Sequence, residues 1–385
     1  MSASIKNNII FILIYIPQPD NDPLKPKGVA MHHIEITKKE LGKHLDWNAA
    51  RIQLVALFIT ALFKARSVSL SKIAIKMDGK ANKESRCKRI SNFFAKFTFS
   101  YDDIALCIMK ICGFYGENVV LAVDRTNWKF GKLDINILTL AIATDGLAIP
   151  IMWIFLPKQG NSNTKERISL INRYIKVFGK ENIDCLVADR EFVGTDWFIY
   201  LTRVLGISVR IRIKDSYKIN KKSGDLAPVK NFFKNIAIGQ TKILEGKRYL
   251  WGLQLFFIGT KSKNGELVIV VTESRVYTAL EDYAKRWGIE TMFKALKSKG
   301  FDFESTHLNN YERLSKMTAL LAIAFAWAYK VGTIENKIKK IKIKSHGRKA
   351  VSIFRYGLDI LDDILSHIGT KIHEFKHVAK LLSCT

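Results

Sequence analysis

The chain has 385 residues, of which 62 are lysine or arginine and 35 are aspartate or glutamate, so its formal net charge is +27. Hydrophobic residues make up 48% of it, which excludes a disordered or low-complexity protein and leaves room for two or three domains of roughly 100 to 200 residues each. A cationic excess of this kind most often neutralises phosphates, so nucleic acid is the predicted partner, with an anionic membrane surface as the weaker alternative.

Residues 1 to 30 are predicted to be a leader outside the fold. Residues 9 to 16 are apolar but stop at Pro17, short of the roughly 20 residues that a membrane span needs. No small-residue cleavage site of a signal peptide follows, so Met31 is an alternative start of the protein. Residues 317 to 329 are also too short to cross a membrane and predict a buried helix. Five cysteines without a C-x-x-C pair indicate neither a zinc knuckle nor a disulfide framework, which predicts a cytoplasmic protein.

Residues 31 to 112 are predicted to form an all-helical DNA-binding domain. Residues 70 to 77 and 83 to 97, separated by a short turn, have the pattern of two successive helices. The second helix has an apolar face and a basic face, which is the layout of a helix that enters a DNA groove, with Lys88 and Arg89 as predicted contacts. An ordinary amphipathic surface helix has the same pattern.

Residues 113 to 207 are predicted to form the first part of an α/β catalytic core. Three apolar runs separated by short turns predict three successive strands, and a helix, a buried strand and a second helix follow them. The order βββαβα is that of an RNase H-like core, a mixed sheet with helices on both faces. The predicted strands cover residues 118 to 123, 135 to 143, 148 to 155 and 183 to 188, and the predicted helices cover residues 164 to 178 and 196 to 205.

A β-rich insertion is predicted over residues 208 to 275. Apolar residues alternate with cations at residues 209 to 214, which predicts a strand with one buried face and with Arg210 and Arg212 exposed on the other as DNA contacts. Asn264-Gly265 predicts a hairpin turn. Closing helices of the core are expected at residues 276 to 331.

A basic, helical C-terminal tail is predicted over residues 332 to 385. Seven of the residues from 337 to 349 are lysine or arginine, and such a run is either solvated or in contact with phosphate. His373-Glu374-Phe375-Lys376-His377 matches the H-E-x-x-H pattern of zinc proteases, but none of the residues after it is His, Asp or Glu. A zinc site is therefore not expected there.

Three carboxylates are predicted to converge. Asp124 and Asp189 end the first and fourth predicted strands, and neighbouring central strands would place them side by side, although strand-end aspartates also cap loops. The third carboxylate is Glu290, on a helix predicted from Leu280. At about 100° per residue this helix packs one apolar side on the sheet and exposes the other. The exposed side carries five residues within about 80° of one another, Tyr283, Arg286, Glu290, Lys294 and Lys297.

This set of carboxylates suits metal-dependent chemistry on phosphates. Three carboxylates at one point hold two divalent cations, which clamp the attacking and leaving oxygens of an in-line displacement at phosphorus. Ligands that are all oxygens favour Mg²⁺, with Mn²⁺ as its substitute, over zinc. The cations beside Glu290 would hold phosphates that flank the scissile bond. Glu191 and Asp134 are alternative ligands, although each is expected to point to the wrong side of its element.

At these residues the sequence resembles the DDE transposases of bacterial insertion sequences, specifically the insertion-sequence-four family. The family signature is Tyr, two residues, Arg, three residues, Glu, six residues and Lys, and Tyr283, Arg286, Glu290 and Lys297 match it. The segments Asp-Arg-Thr and Ala-Asp-Arg-Glu-Phe look like the family's two aspartate blocks. The resemblance covers about residues 115 to 330.

The resemblance implies cut-and-paste transposition of double-stranded DNA. It implies binding of terminal inverted repeats and target DNA, a homodimer in the synaptic complex, a nucleoid-associated protein and, in studied relatives, a hairpin intermediate. Some relatives stack a flipped base on a tryptophan of the insertion, for which Trp251 is a candidate by location. Two other hypotheses remain open: a transposase-derived DNA-binding protein that has lost its chemistry, and a structure-selective nuclease of the same fold.

Overall fold

The computed structural model describes residues 26 to 383, apart from residues 132, 222 and 346. Most of the predicted leader therefore lies outside the described residues. Helix α1 (Pro26–Leu41) begins ahead of Met31 and continues past it, so the predicted boundary at residue 31 falls within a helix.

Four more helices follow α1 before the first strand: α2 (Ala49–Ala65), α3 (Leu70–Lys76), α4 (Lys83–Lys96) and α5 (Tyr101–Cys112). Helices α2, α4 and α5 each have a side-chain N-cap: an Asn or Ser side chain accepts a hydrogen bond from the amide three residues later. Helix α4 buries Ile90, Phe93 and Phe94 and leaves Lys88 and Arg89 exposed. The predicted apolar and basic faces of this helix are confirmed.

The central sheet starts as an antiparallel meander of β1 (Val119–Phe130), β2 (Leu133–Thr144) and β3 (Leu147–Phe155). Helix α6 (Thr164–Phe178) then crosses over to β4 (Ile183–Ala188), which pairs with β1 in parallel. A short helix, α7 (Thr195–Ile199), continues as one π-helical turn and leads to β5 (Val209–Ile213), which is parallel to β4. The strand order β3-β2-β1-β4-β5 confirms the predicted RNase H-like core.

Strand β5 belongs to this core sheet, whereas the alternating pattern placed it in the insertion. The chain after β5 forms six strands in the described residues: β6 (Lys218–Asn220), β7 (Leu226–Pro228), β8 (Thr241–Ile243), β9 (Arg248–Leu250), β10 (Leu253–Lys261) and β11 (Leu267–Thr272). Strand β11 pairs with β5 in antiparallel orientation and β10 pairs with β11 through the predicted Asn264-Gly265 turn. The β-rich segment thus widens the core sheet to nine strands.

Five helices close the described chain: α8 (Ala279–Ala284), α9 (Trp287–Leu296), α10 (Tyr311–Ile338), α11 (Ile353–Ser366) and α12 (Ile372–Lys380). Within the described residues, α10 is long and apolar enough to cross a membrane, and so is the pair α2 and α3 if its 100° bend is ignored. However, 78% of the most apolar window of α10 is buried inside the protein. The predicted buried helix at residues 317 to 329 is the centre of α10.

The N-terminal and C-terminal helices pack together. Helix α2 contacts α10 and α11, and α1 contacts α12, so these helices share one apolar core. The closest approach is between α10 and α11, where Gly332 and Gly357 face each other's backbones and a Cβ at either position would overlap the opposite helix. The predicted boundaries at residues 112 and 331 therefore separate helices that pack against one another.

Candidate active site

The two aspartates lie next to each other because β1 and β4 are parallel and in register. Val123 pairs with Ala188 in the last pair between these strands, so Asp124 and Asp189 follow at the same edge. Each aspartate Oδ1 accepts a hydrogen bond from the next amide in the chain, at 2.8 Å from Arg125 N and 2.7 Å from Arg190 N. Asp124 is not the last residue of β1, because β1 continues against β2 as far as Phe130.

Helix α9 brings Glu290 to this edge of the sheet. It packs on β3 so closely that a Cβ on Gly288 would lie 2.6 Å from the carbonyl oxygen of Leu147. Ile289 and Met292 are fully buried beneath the helix, whereas the Glu290 side chain remains about one third exposed. A residue without a side chain at position 288 therefore sets how near Glu290 approaches the strands.

One guanidinium joins the carboxylates of the strand and the helix. Arg286 Nη1 is 3.2 Å from Asp124 Oδ2, and Arg286 Nη2 is 2.9 Å from Glu290 Oε1. The Arg286 residue is 6% exposed, so both contacts are largely shielded from water. Burial alone would lower the pKa of Arg286, but Tyr283, Asp189, Asp124 and Glu290 together raise it, and the guanidinium stays charged.

Asp124 is a largely buried carboxyl group. Burial raises its pKa to about 6, and the negative charges of Glu191 and Asp189 add to that rise. The amide of Arg125 and the charge of Arg286 act in the opposite direction. A carboxyl that is desolvated and surrounded by other carboxylates attracts a cation strongly.

The helix that carries the predicted signature is broken in two. A single helix was expected from residue 280, but α8 ends at Ala284 and α9 begins at Trp287, with Arg286 in the turn between them. Arg286 is consequently buried rather than exposed. Tyr283 is half-buried beside it, with the guanidinium carbon of Arg286 5.8 Å from the centre of the ring, and burial raises the pKa of Tyr283 to about 12.

The two lysines of this segment point in different directions. Lys297 ends α9 and lies on the extension of β1, with its Nζ 4.9 Å from the centre of the Trp128 ring and 3.1 Å from Glu304 Oε1. Lys294 is exposed, with its Nζ 5.9 Å from the centre of the Trp287 ring. Neither lysine contacts Asp124, Asp189 or Glu290 among the described contacts.

The structure corrects the prediction that Arg210 and Arg212 are both exposed on β5. Arg210 is fully buried, because its Nε is 3.3 Å from Asp282 Oδ2 and its Nη1 donates to Thr272. The alternating pattern identified the strand but not the elements that cover its second face. Arg212 is partly exposed, pairs with Glu266, and its Nη1 is 4.0 Å from Asp189 Oδ1. Arg212 therefore borders the carboxylates, whereas Arg210 belongs to the core.

The remaining predicted residues lie elsewhere. Lys88 and Arg89 are exposed on α4, and no contact connects them to the carboxylates within the described residues. The Trp251 ring packs against the rings of Phe198 and Tyr217, with centroid distances of 4.8 and 5.1 Å. Packing against these two rings accounts for the partial burial of Trp251.

Both alternative ligands already have partners. Glu191 accepts two hydrogen bonds from Arg125, from Nε at 2.8 Å and from Nη2 at 3.2 Å. Asp134 accepts a hydrogen bond from Gln159 at 2.8 Å and lies 3.7 Å from Lys129. The pairing of Arg125 with Glu191 was missed in the sequence, although each follows an aspartate of the candidate site within two residues.

Arg167 is a second residue that the sequence did not single out. It is buried on α6 and donates hydrogen bonds to the carbonyls of Ser162, Glu191 and Val193, which holds the loop after Asp189 in place. Burial lowers the pKa of Arg167. The sequence feature that could have identified Arg167 is its position: it is a cation at the start of the apolar face of α6, four residues before Ile171.

A second acidic group lies outside this edge of the sheet. Among the described residues, Asp184, Cys185 and Asp282 are the one set of three possible metal ligands whose ligand atoms all lie within 4.8 Å of one another. Arg275 neutralises Asp184 at 2.6 Å, Arg210 neutralises Asp282, and burial raises the pKa of Cys185 to about 12. A protonated thiol does not suit a metal. Asp124, Asp189 and Glu290 do not meet this spacing among the described residues, because Arg286 lies between Asp124 and Glu290, but their donors are oxygens only.

Comparisons with known proteins concern the same part of the chain. Residues 115–327, more than half of the chain, match a family model described as "Transposase DDE domain". Among solved structures, the chain is similar to the cryo-EM structure of a piggyBac transposase synaptic complex with hairpin DNA, with a TM-score of 0.41 and 13% sequence identity. This similarity covers 89% of the chain and 78% of that structure's chain. No curated protein sequence matches the chain significantly.

Proposed function

Because the chain belongs to the family of transposase DDE domains, we propose that it is an active transposase that cuts and rejoins double-stranded DNA. The observation that carries the proposal is that Asp124 and Asp189 follow neighbouring parallel strands of an RNase H-like sheet, while the Arg286 guanidinium contacts both Asp124 and Glu290 at the same edge. The match of Tyr283 and Lys297 to the family signature supports assignment to the insertion-sequence-four family. The substrates are then terminal inverted repeats and target DNA.

Asp124, Asp189 and Glu290 are the proposed metal ligands and catalytic residues. Their carboxylate oxygens suit Mg²⁺, with Mn²⁺ as a substitute. When two such ions are bound, they supply charge stabilisation for an in-line displacement at phosphorus. The chain's own contribution is to hold three carboxylates at one edge of a rigid sheet and to exclude water from Asp124.

Arg286 has a role distinct from ligation. It carries a permanent positive charge and contacts two of the three carboxylates. A DNA phosphate that enters the site offers this guanidinium an equivalent anionic partner, with the planar geometry that arginine prefers. We therefore infer that Arg286 exchanges carboxylates for a phosphate when DNA binds, and that Tyr283 supports its position.

Several cations are proposed to contact DNA phosphates, either beside the cut or farther along the double helix. Lys294 and Lys297 extend from the helix that carries Glu290, Arg212 borders Asp189, and Lys88 and Arg89 project from α4. Arg210 is not among them, because it is buried against Asp282.

The proposed arrangement of the chain follows these contacts. The α3–α4 pair recognises the terminal repeat, and a homodimer assembles the synaptic complex in association with the nucleoid. Because α1 and α2 pack on α10, α11 and α12, recognition is best tested with the full chain rather than with residues 31 to 112 alone.

The test is cleavage of DNA that bears the terminal repeats flanking the coding frame. The variants Asp124→Ala, Asp189→Ala and Glu290→Ala are each expected to abolish Mg²⁺-dependent cleavage while retaining DNA binding in a band-shift assay. Asp134→Ala is the matched control, because Asp134 is a partly exposed carboxylate that already has partners and lies opposite Lys129, five residues along β1 from Asp124. Cleavage close to wild type in any triad variant removes that residue from the site.

Metal dependence separates the possible outcomes further. Mg²⁺ or Mn²⁺ is expected to support cleavage, and Ca²⁺ is expected to permit assembly at most, because its looser coordination fits an in-line displacement poorly. Cleavage in EDTA contradicts the mechanism. A wild-type protein that binds the repeats but never cleaves them would be a transposase-derived DNA-binding protein instead.

A further inference from the structure

The cationic run that begins in the last turn of α10 is held by backbone hydrogen bonds among its described residues. Ile341 is buried and its amide donates to Asn336 Oδ1 at 2.9 Å, which anchors the start of the segment. Ile343 forms an antiparallel bridge with Lys349, and the amide of Lys344 donates to the carbonyl of Arg348 at 2.8 Å. We call residues 337–349 the basic hairpin. Long runs of like charge are usually disordered and solvated. Because backbone hydrogen bonds hold this run, a function for its clustered charges is expected.

The basic hairpin presents its cations without neighbouring acids. No aspartate or glutamate occurs in the sequence between Glu335 and Asp359. Six lysines of the hairpin are exposed and form no ion pair with a carboxylate among the described residues: Lys337, Lys339, Lys340, Lys342, Lys344 and Lys349. Holding these charges near one another is unfavourable unless an anion with several charges neutralises them together.

The segment that directly follows the hairpin faces the helix that carries Glu290. A cavity of about 530 Å³ separates them, lined on one side by Thr291, Lys294 and Lys299 and on the other by residues 350 to 352, which directly follow the hairpin. Thr291 follows Glu290 on the same helix, so the cavity lies beside the face of α9 that carries Glu290. Asp359 also lines the cavity, but Arg66 and Arg355 neutralise it at 2.6 and 2.9 Å.

We propose that the basic hairpin, together with Lys294 and Lys299, binds the phosphate backbone of the double helix beside the cut. This inference rests on the proposed function, because it places the scissile phosphate at Asp124, Asp189 and Glu290. Double-stranded DNA carries one charge per roughly 1.7 Å of its axis, which suits a dense group of exposed cations with no carboxylate partner. Ile338 and Ile343 are exposed on the hairpin, so an anionic membrane is the competing partner that the experiment must separate.

The test is the salt dependence of DNA affinity for a variant that lacks four hairpin charges. A labelled linear duplex is the probe, and EDTA prevents cleavage during the titration. Each phosphate contact contributes about 0.9 to the slope of log affinity against log salt, so loss of four contacts is expected to reduce the slope by about 3.6. Wild-type affinity then falls about 150-fold more than that of the variant between about 50 and 200 mM salt. The substitutions are Lys339→Gln, Lys340→Gln, Lys342→Gln and Lys344→Gln.

A control variant removes the same number of charges from exposed lysines on other elements. It carries Lys165→Gln, Lys180→Gln, Lys376→Gln and Lys380→Gln. The proposal predicts an unchanged slope for this control, and circular dichroism checks that both variants are folded. Equal slope changes in the two variants, or no change in the hairpin variant, overturn the proposal.

Two further measurements distinguish DNA from a membrane as the partner of the hairpin, and they distinguish failure of the hairpin inference from failure of the proposed function. If the hairpin variant loses binding to phosphatidylserine vesicles but keeps the wild-type slope with DNA, the hairpin is a membrane contact and the proposal is wrong. If wild type cleaves repeat-bearing DNA but the hairpin variant keeps its slope, only the hairpin inference fails. A wild-type protein that neither binds nor cleaves DNA overturns the proposed function as well.

Discussion

Replacing Arg286 by glutamine is expected to tighten the binding of a divalent cation in the absence of DNA. Arg286 contacts Asp124 at 3.2 Å and Glu290 at 2.9 Å, and it is almost fully buried. A cation that is ligated by both carboxylates must displace this guanidinium. The arginine is thus a competitor of the metal within the same chain, and Arg286→Gln removes the competition while keeping a side chain of similar length.

The size of the effect follows from the two contacts. A hydrogen bond to a charged group contributes about 1.5 to 3 kcal/mol, and 1.4 kcal/mol corresponds to a factor of ten. Relief of one contact therefore tightens binding by about 10- to 150-fold, and relief of both sets a higher limit that is not simply additive. Because Arg286 also holds down the pKa of Asp124, the comparison is made near pH 8, where a carboxyl of pKa about 6 is ionised.

The assay is titration of DNA-free protein with Mn²⁺, followed by electron paramagnetic resonance or calorimetry. Lys294→Gln is the matched control, because it removes one charge from an exposed site four residues after Glu290 and is expected to change the affinity little. Arg286→Lys keeps the charge but lacks the fork that reaches both carboxylates, so an intermediate affinity is expected. Affinity of Arg286→Gln equal to or weaker than that of wild type, in a folded protein, refutes the competition.

Three other predictions concern the residues that form and support the site. Because the pKa of Asp124 is raised in the folded state, from 3.8 to about 6, its stabilising contribution is complete below about pH 4 and is lost as the pH rises through about 6. Mn²⁺ affinity should strengthen over the same window, and calorimetric titrations and thermal unfolding from about pH 4 to 8 check both trends. Gly288→Ala is expected to force α9 away from β3, which costs about 1 to 3 kcal/mol in urea unfolding and slows cleavage through Glu290; unchanged stability would contradict this close contact. Arg167→Met leaves three backbone carbonyls without their donor, so a loss of about 1 to 3 kcal/mol in thermal unfolding is expected, and a loss below about 0.5 kcal/mol would argue against the clamp on the loop after Asp189.

Local patterns in the sequence were sufficient to predict the strands of the core. Alternating or continuous apolar runs end at turn residues, and these signals depend only on neighbours along the chain. Strands β1 to β4 accordingly lie within a few residues of their predicted positions, apart from the extension of β1 beyond Asp124. The adjacency of Asp124 and Asp189 also followed, because residues at equivalent ends of parallel neighbouring strands must lie together.

The same patterns could not identify which elements pack on each strand. The alternation at residues 209 to 214 is compatible with a strand of the insertion or of the core sheet, and it does not reveal that Asp282 covers Arg210, 72 positions later. The helical wheel from residue 280 likewise assumed one continuous helix and could not detect the turn at Arg286.

The sequence by itself determined the type and order of the core elements and the excess of cations, and it predicted the three candidate carboxylates. Only the tertiary structure decided that Arg286 lies between Asp124 and Glu290, that Arg210 is buried, and that the segment after the basic hairpin faces the helix carrying Glu290. The reason is physical: propensity and periodicity act between residues a few positions apart. An ion pair such as that of Arg286 with Asp124 joins residues 162 positions apart, so it exists only once the sheet and the helix have packed together.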